Sequence, residues 1–301
     1  MSPFIRRLLC GGLGVIICVI IAINQKSLNS ASNNEVNVDK VQLGVQNVNK
    51  DITNIENKNS VGTKSTYLSG LAVWTVLLAV NDAFFDFFSN WFFYYTKLKL
   101  NLPIVIMAED EKVYTKLKSV CSYCQILRSG LNLHEAFNYN SANFIKLMSQ
   151  RPSNILRLLR DGKNVLHVDV DSVWLHNPLP HLDMSVDVTY QLDGPNNVCM
   201  GFIAIKSNNR TIELVEQWRK RMSQKPKQND QETFNSVLQN NKGSIRHQGL
   251  DAMQFPNGRQ YFVDFNRTQR SRVVIVHNNY IIGHDTKKER FQKFGLWVLL
   301  I

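Results

Sequence analysis

Apolar positions fall into three regimes along this chain. Leu8–Ile23 is apolar or glycine throughout. Residues 24–66 carry scattered Val and Ile among Asn, Ser and Lys, with no aromatic residue. From Tyr67 onward, short β-branched runs alternate with segments of helical period. Trp74–Val80 and Pro103–Ala108 predict strands. Between them, Asn81–Leu98 is dense in Phe, Trp and Tyr and predicts a buried helix. Lys112–Leu117 starts another helix, and Phe144–Arg160 reads as one amphipathic helix interrupted at Pro152. Val165-Leu166-His167-Val168-Asp169-Val170-Asp171 reads as a buried strand, bounded by Asp161-Gly162 and Asn177-Pro178. Asp187–Leu192 and Gly201–Lys206 predict strands around the loop Asp193-Gly194-Pro195-Asn196-Asn197. Thr211–Met222 predicts a helix, and a further helix opens at Asn229 with Asp230 as its cap. Val273–Val276 is a late strand. This alternation argues an α/β domain with a largely parallel sheet, and no internal repeat is visible.

The first two regimes bear on address. Arg6-Arg7 precede Leu8–Ile23, and positive charge before an apolar span of close to ~20 residues holds the N-terminus in the cytosol. The expected topology is single-pass type II: residues 1–7 a cytosolic tail, 8–23 a transmembrane signal anchor, and 67–301 a lumenal folded domain. A signal peptide cleaved near Ala22 is the alternative. Residues 24–66 read as a lumenal stem, because such a composition forms no core. Within it Val38, Val41, Val45, Val48, Ile52 and Ile55 follow a heptad seam. That seam would zip two copies into a homodimer, although Gly44 and the many asparagines oppose a helix.

Charge and cysteines narrow the classes. The chain has 301 residues, 44% hydrophobic, with a net charge of +11. No basic-aromatic platform or nucleic-acid module accompanies that charge, so nucleic acid is not expected as a partner. A phosphate-bearing substrate or an anionic glycan accounts for it as well. The sequons Asn209-Arg210-Thr211 and Asn266-Arg267-Thr268 agree with a lumenal address. Cys121-x-x-Cys124 has no second pair to complete a zinc site, and an oxidising lumen would allow a local disulfide without the sequence deciding it. Cys199 then remains as a buried thiol.

Candidate chemistry centres on Asp169 and Asp171. Residues two apart on a strand share a face, so both carboxylates aim at one point, at or just past the strand's C-terminal end. Open α/β sheets bind ligands there. Paired carboxylates suit a hard divalent cation, Mn²⁺ or Mg²⁺, which commonly carries a diphosphate. Asp169-Val170-Asp171-Ser172-Val173 also fits the signature of haloacid-dehalogenase-type phosphatases, with Asp169 as nucleophile. That fold carries this strand first, whereas many ordered-looking residues precede it here, and no downstream Gly-Asp-x-x-x-Asp motif follows. His277 comes after the late strand with Gly283 and Lys287 at short range. The combination offers an imidazole to a metal and an ammonium to a phosphate.

In order, Asn90-Trp91, Arg151-Pro152, the run Leu166–Trp174, Asn177-Pro178, Gly201-Phe202, Asp230-Gln231 with Phe234-Asn235, Phe255-Pro256-Asn257-Gly258, and His277 through Gly283, Lys287, Arg290-Phe291 and Trp297 resemble the nucleotide-diphospho-sugar transferases of glycosyltransferase family 77. That group includes plant rhamnogalacturonan xylosyltransferases and arabinosyltransferases. The resemblance implies a GT-A fold, a Golgi glycosyltransferase and retention of anomeric configuration. It implies a UDP-sugar donor, with xylose the first guess, and a glycan or glycoprotein acceptor. Asp169, Asp171 and His277 would hold the metal. Asp193, Gly283 and Lys287 would serve the donor, and Asp230 and Gln231 would lie at the reacting sugar. His167 and Tyr280 depart from the usual pattern. A transferase-like protein that binds glycan without chemistry is the other reading, and intact Asp169, Asp171 and His277 speak against it.

Overall fold

A computed structural model describes residues 73–299 apart from Pro226. The expected tail, anchor and stem, with the coiled-coil seam, lie outside the described residues. Among the described residues no helix is long and apolar enough to cross a membrane.

Among the described residues nine strands form: β1 (Trp74–Val80), β2 (Ile104–Ala108), β3 (Gln125–Arg128), β4 (Asn164–Val168), β5 (Ser172–Trp174), β6 (Val188–Leu192), β7 (Val198–Ile205), β8 (His247–Gly249) and β9 (Ile275–His277). Seven make one sheet in the order β3-β2-β1-β4-β7-β6-β8. The first four in that order run parallel, β7 is antiparallel to both β4 and β6, and β8 is parallel to β6. The sheet is therefore mixed, where alternation alone suggested largely parallel. After β4 the chain makes a short return through β5, and β6 and β7 follow as an antiparallel pair without a crossover helix. β5 and β9 pair separately as a two-stranded antiparallel ribbon.

Both faces of the sheet are covered, which is why its strands read as continuous apolar runs. Alternate residues sort to opposite sides. Val76, Leu78, Val80, Ile104, Ile106, Leu166 and Phe202 join one core with α1 (Phe85–Lys97), α2 (Glu111–Val120) and the C-terminal segment. Leu77, Val105, Met107, Val165, Ile203 and Ile205 join another with α4 (Arg151–Arg160), α5 (Asn209–Gln224) and α6 (Asp230–Asn240). The remaining α-helices among the described residues are α3 (Ala142–Met148), α7 (Arg267–Arg270) and α8 (His284–Lys293).

Local rules explain the boundaries. The expected interruption of the Phe144–Arg160 stretch separates α3 from α4: Pro152 falls in the first turn of α4, where its missing N–H costs nothing. Asp110 caps α2 and Asn208 closes a capping box on α5. Asn229, not Asp230, caps α6, accepting from the Gln231 N–H. Asp230 is thereby released for an ion pair. The aromatic stretch is the expected buried helix: Trp91 of α1 meets Trp174 of β5 edge-on at 5.9 Å, and Trp174 meets Phe202 at 6.0 Å. Cys121 and Cys124 form a local disulfide, and Cys199 is free and buried.

Candidate metal centre and donor site

β4 ends at Val168, so Asp169 and Asp171 sit in the turn between β4 and β5 rather than on the strand. Backbone bonds pin that turn. The Asp169 N–H donates to the Gly201 carbonyl at 3.0 Å, and the Asn278 N–H donates to the Asp171 carbonyl at 2.9 Å. The Ser172 hydroxyl donates to the Asp169 carbonyl at 2.7 Å. Pairing of β5 with β9 sets Ser172 opposite His277. The imidazole Nε2 then lies 3.4 Å from Asp171 Oδ1 and 3.8 Å from Asp169 Oδ2. One ligand atom from each of the three residues fits within 4.8 Å of the others. Asp171 and His277 are buried, and Asp169 is half-buried, so the cluster opens to solvent on the Asp169 side.

Glycine makes room for the ring. A Cβ on Gly201 would stand 2.0 Å from His277 Cε1. The outer ring nitrogen, Nδ1, meets Gln191 Oε1 at 3.1 Å and Cys199 Sγ at 3.4 Å. Two carboxylates and one imidazole nitrogen form a donor set of the kind that hard divalent cations accept. Electrostatics agree. Burial opposes the charge on Asp171, but Lys287 and His277 beside it hold the carboxyl far below its usual range. Burial likewise opposes protonation of His277, yet the Cys199 sulfur and Asp171 carry it well above the ordinary imidazole range. Such a pull on a proton is also a pull on a cation.

Lys287, in the first turns of α8, ion-pairs through Nζ with Asp171 Oδ2. Gly283 starts that helix with φ 97, a left-handed conformation that glycine adopts freely. It acts as the backbone bend that delivers Lys287 and offers no side chain to a ligand. Asn278 fastens the same helix, donating to the Lys287 carbonyl at 2.8 Å and accepting from Arg290 Nε at 2.6 Å.

The other expected residues stand next to this cluster. Arg151 forks between Asp169 (2.8 Å) and Asp230 (2.6 Å), and is itself buried. Burial raises the Asp230 carboxyl, with Arg151 opposing that shift and Asp169 adding to it. The Trp218 indole N–H donates to the Asp230 carbonyl at 3.0 Å. Gln231 donates to Asp193 Oδ2 at 2.7 Å and accepts from the Met200 N–H at 3.0 Å. The second carboxylate oxygen of Asp193 is buried and has no partner. Expected site residues from five separate stretches of the chain thus gather around the C-terminal end of β4.

Three participants carried no assigned role in the sequence reading. Arg151 entered only as part of a motif. A buried cation in the first turn of a helix opposes the macrodipole, and that conflict was the available signal. Gln191 and Cys199 lie on apolar strands and gave none.

Comparison with known proteins bears on the family and the fold. Residues 101–291 match the nucleotide-diphospho-sugar transferase family. UDP-D-xylose:L-fucose alpha-1,3-D-xylosyltransferase 3 of Arabidopsis thaliana is 30% identical over 254 residues, covering 74% of this chain and 66% of that protein. UDP-galactose:fucoside alpha-3-galactosyltransferase of Dictyostelium discoideum is 32% identical over 200 residues, covering 56% of this chain and 31% of that protein. The crystal structure of the glycosyltransferase GlyE from Streptococcus pneumoniae TIGR4 superposes with a TM-score of 0.50 at 11% identity, over 76% of this chain and 61% of that one. It shares the GT-A-like α/β fold with a mixed central sheet. The phosphatase reading falls with these matches, and with β4 standing fourth in the chain rather than first. The chain belongs to the nucleotide-diphospho-sugar transferase family.

Proposed function

We propose that this chain is a glycosyltransferase that moves a sugar from a UDP-sugar to a glycan or glycoprotein hydroxyl, with a divalent cation, Mn²⁺ or Mg²⁺, held by Asp169, Asp171 and His277. The observation that carries the reading is the convergence of those three groups within 4.8 Å, beside the ammonium of Lys287. When bound, the cation supplies Lewis-acid neutralisation of the donor diphosphate. The chain's own residues do the rest. Lys287 meets the negative charge that grows on the departing diphosphate. Arg151 holds Asp169 and Asp230 fixed relative to each other. The unpartnered oxygen of Asp193 offers an acceptor to a sugar hydroxyl, with Gln231 orienting the carboxylate. Retention of configuration is the stereochemical expectation for this family. Asp230, already committed to a guanidinium, serves as a positioning group beside the sugar.

The names of the Arabidopsis and Dictyostelium relatives both specify a fucose or fucoside acceptor, with UDP-xylose and UDP-galactose as their respective donors. The first substrates to try are therefore UDP-xylose and UDP-galactose with a fucoside. Transfer should require Mn²⁺ or Mg²⁺, disappear with EDTA, and be lost in Asp171→Ala. Metal-independent transfer, or an Asp171→Ala variant as active as the unaltered chain, refutes the cation's role. Product NMR reads the anomeric configuration.

For location we propose a single-pass type II Golgi membrane protein anchored through residues 8–23, with the catalytic domain lumenal. The support is Arg6-Arg7 before the apolar run and the surface exposure of Asn209 and Asn266 in their sequons. Protease protection of microsomes, blotted against both ends, tests it. A lumenal product lacking residues 1–23 would show cleavage instead of anchoring.

A further inference from the structure

His277 faces the carboxylates with one ring nitrogen, and the groups around the other nitrogen decide which of the two carries a proton. Nδ1 lies 3.1 Å from Oε1 of Gln191, a side chain with no exposed surface. The Gln191 amide cannot be turned end for end. Its Nε2 donates to the Pro256 carbonyl at 2.7 Å and to the Phe255 carbonyl at 3.3 Å. Exchanging O and N would set the amide oxygen against two carbonyl oxygens with no proton between them, in a buried place where unmade bonds are costly. The group facing Nδ1 is therefore an acceptor with no proton to give. Cys199 Sγ, also near Nδ1 at 3.4 Å, has its own donor in Asn279 Nδ2 at 3.7 Å.

We infer that Gln191 is a positioning residue: it keeps the ring proton of His277 on Nδ1 and leaves Nε2 as the nitrogen aimed at Asp169 and Asp171. The inference holds whether the ring is neutral or charged, because both forms compatible with Gln191 carry hydrogen on Nδ1. It also fixes the ring's rotation. Gly201 clears the space under the imidazole, and Gln191 holds its outer edge through the Phe255–Pro256 backbone. Ligand histidines are commonly oriented by a partner on the non-ligating nitrogen, and loss of such a partner typically weakens metal affinity by about 10–100-fold. The inference rests on the reading that these three residues bind a divalent cation.

Two variants separate orientation of His277 from support of the Phe255–Pro256 loop. Gln191→Glu, buried as the neutral acid with its O–H turned to the Pro256 carbonyl, keeps an oxygen toward Nδ1, and Gln191→Leu removes both groups. Each would be made in the full chain, checked for folding by circular dichroism, titrated with Mn²⁺ by EPR, and scanned by ¹⁵N-resolved NMR for the Nδ1-bound proton of His277. The unaltered chain should show a downfield, slowly exchanging Nδ1 proton. Gln191→Glu should retain that proton and most of the Mn²⁺ affinity. Gln191→Leu should lose the proton signal and bind Mn²⁺ about 10–100-fold more weakly. The inference is overturned if the unaltered chain shows no Nδ1 proton, or if the two folded variants lose affinity equally, which would leave Gln191 a loop tie only. Should the leucine variant fail to fold, the unaltered chain and the glutamate variant still decide. An Nδ1 proton without any Mn²⁺ binding would sink the cation reading while the orientation by Gln191 stands.

Discussion

Glu109 and Asp187 show two opposite outcomes of burying a carboxylate. Glu109, at the end of β2, is 1% exposed and neither of its oxygens finds a hydrogen-bond partner. Burial pushes its carboxyl from 4.5 up to about 7, with the nearby Ser129 hydroxyl opposing that shift and Asp110 adding to it. The folded state then binds the proton more tightly than the unfolded one, so stability falls as pH rises from about 4.5 to 7, by about 3 kcal/mol in all. Glu109→Gln should remove that slope and make the protein more stable above pH 7, as read by urea denaturation at pH 5 and pH 8. A variant less stable at pH 8 contradicts the assignment. Asp187 is equally buried, but it accepts from Arg210, Asn208 and the Arg246 N–H. Burial opposes its charge and these donors outweigh burial, bringing its carboxyl down to about 2. That contributes about 2 kcal/mol above pH 4, lost as pH falls from 4 toward 2. Asp187→Asn should therefore be less stable at pH 7, with the difference shrinking by pH 2.5. Lys287 and Lys288 are adjacent lysines with different partners, Asp171 for the first and Asp86 for the second. If Lys287 meets the leaving diphosphate, Lys287→Met should cut turnover by about a hundred- to thousandfold, or about 2.7–4 kcal/mol. Lys288→Met should change it little, and equal small losses in both variants would reduce Lys287 to surface charge.

Between elements, the decisive joints are close approaches that only small residues permit. β7 runs beside β4 with Phe202 opposite Val168, which sets Gly201 under the His277 ring. Gly201→Ala would force the buried imidazole aside, an overpacking that typically costs about 1–3 kcal/mol. The expected result is a lowered melting temperature together with a large loss of Mn²⁺ affinity in the protein that folds, and unchanged affinity would mean that the ring finds another seat. Gly258 has the same character: a Cβ there would stand 2.1 Å from the Asn279 carbonyl oxygen. Its N–H donates to Asn279 Oδ1 at 2.5 Å, so the Phe255–Gly258 loop fastens the segment that follows β9.

At the scale of the molecule, the buried Arg151 joins α4, the β4–β5 turn and α6 through ion pairs to half-buried Asp169 and buried Asp230. Arg151→Met would leave Asp230 buried and unpaired, a change that typically costs about 3–5 kcal/mol. The double variant Arg151→Met with Asp230→Leu should recover much of that stability without recovering activity. If the single variant is as stable as the unaltered chain, the network is not what holds these elements together. Asn90 plays the same part for the C-terminal segment, donating to the Leu296 carbonyl at 3.0 Å and accepting from the Val298 N–H at 2.9 Å.

Local sequence determined the strands with apolar runs, the aromatic helix α1 and the pairing of two aspartates at the end of the β4 run. Each of these depends on side-chain period, capping chemistry or spacing over a few residues, and such signals are written locally. The family resemblance added His277, Lys287, Asp193, Asp230 and Gln231 as neighbours. Tertiary structure decided the rest. Antiparallel β6–β7 turned on which partner each strand's backbone finds. The Arg151 fork and the Gln191–His277 pair join residues far apart in sequence. Hydrogen bonds and ion pairs act between whatever groups folding brings within about 3 Å, and that proximity is a property of the β4–β7 and β5–β9 registers, with no trace in the spacing along the chain.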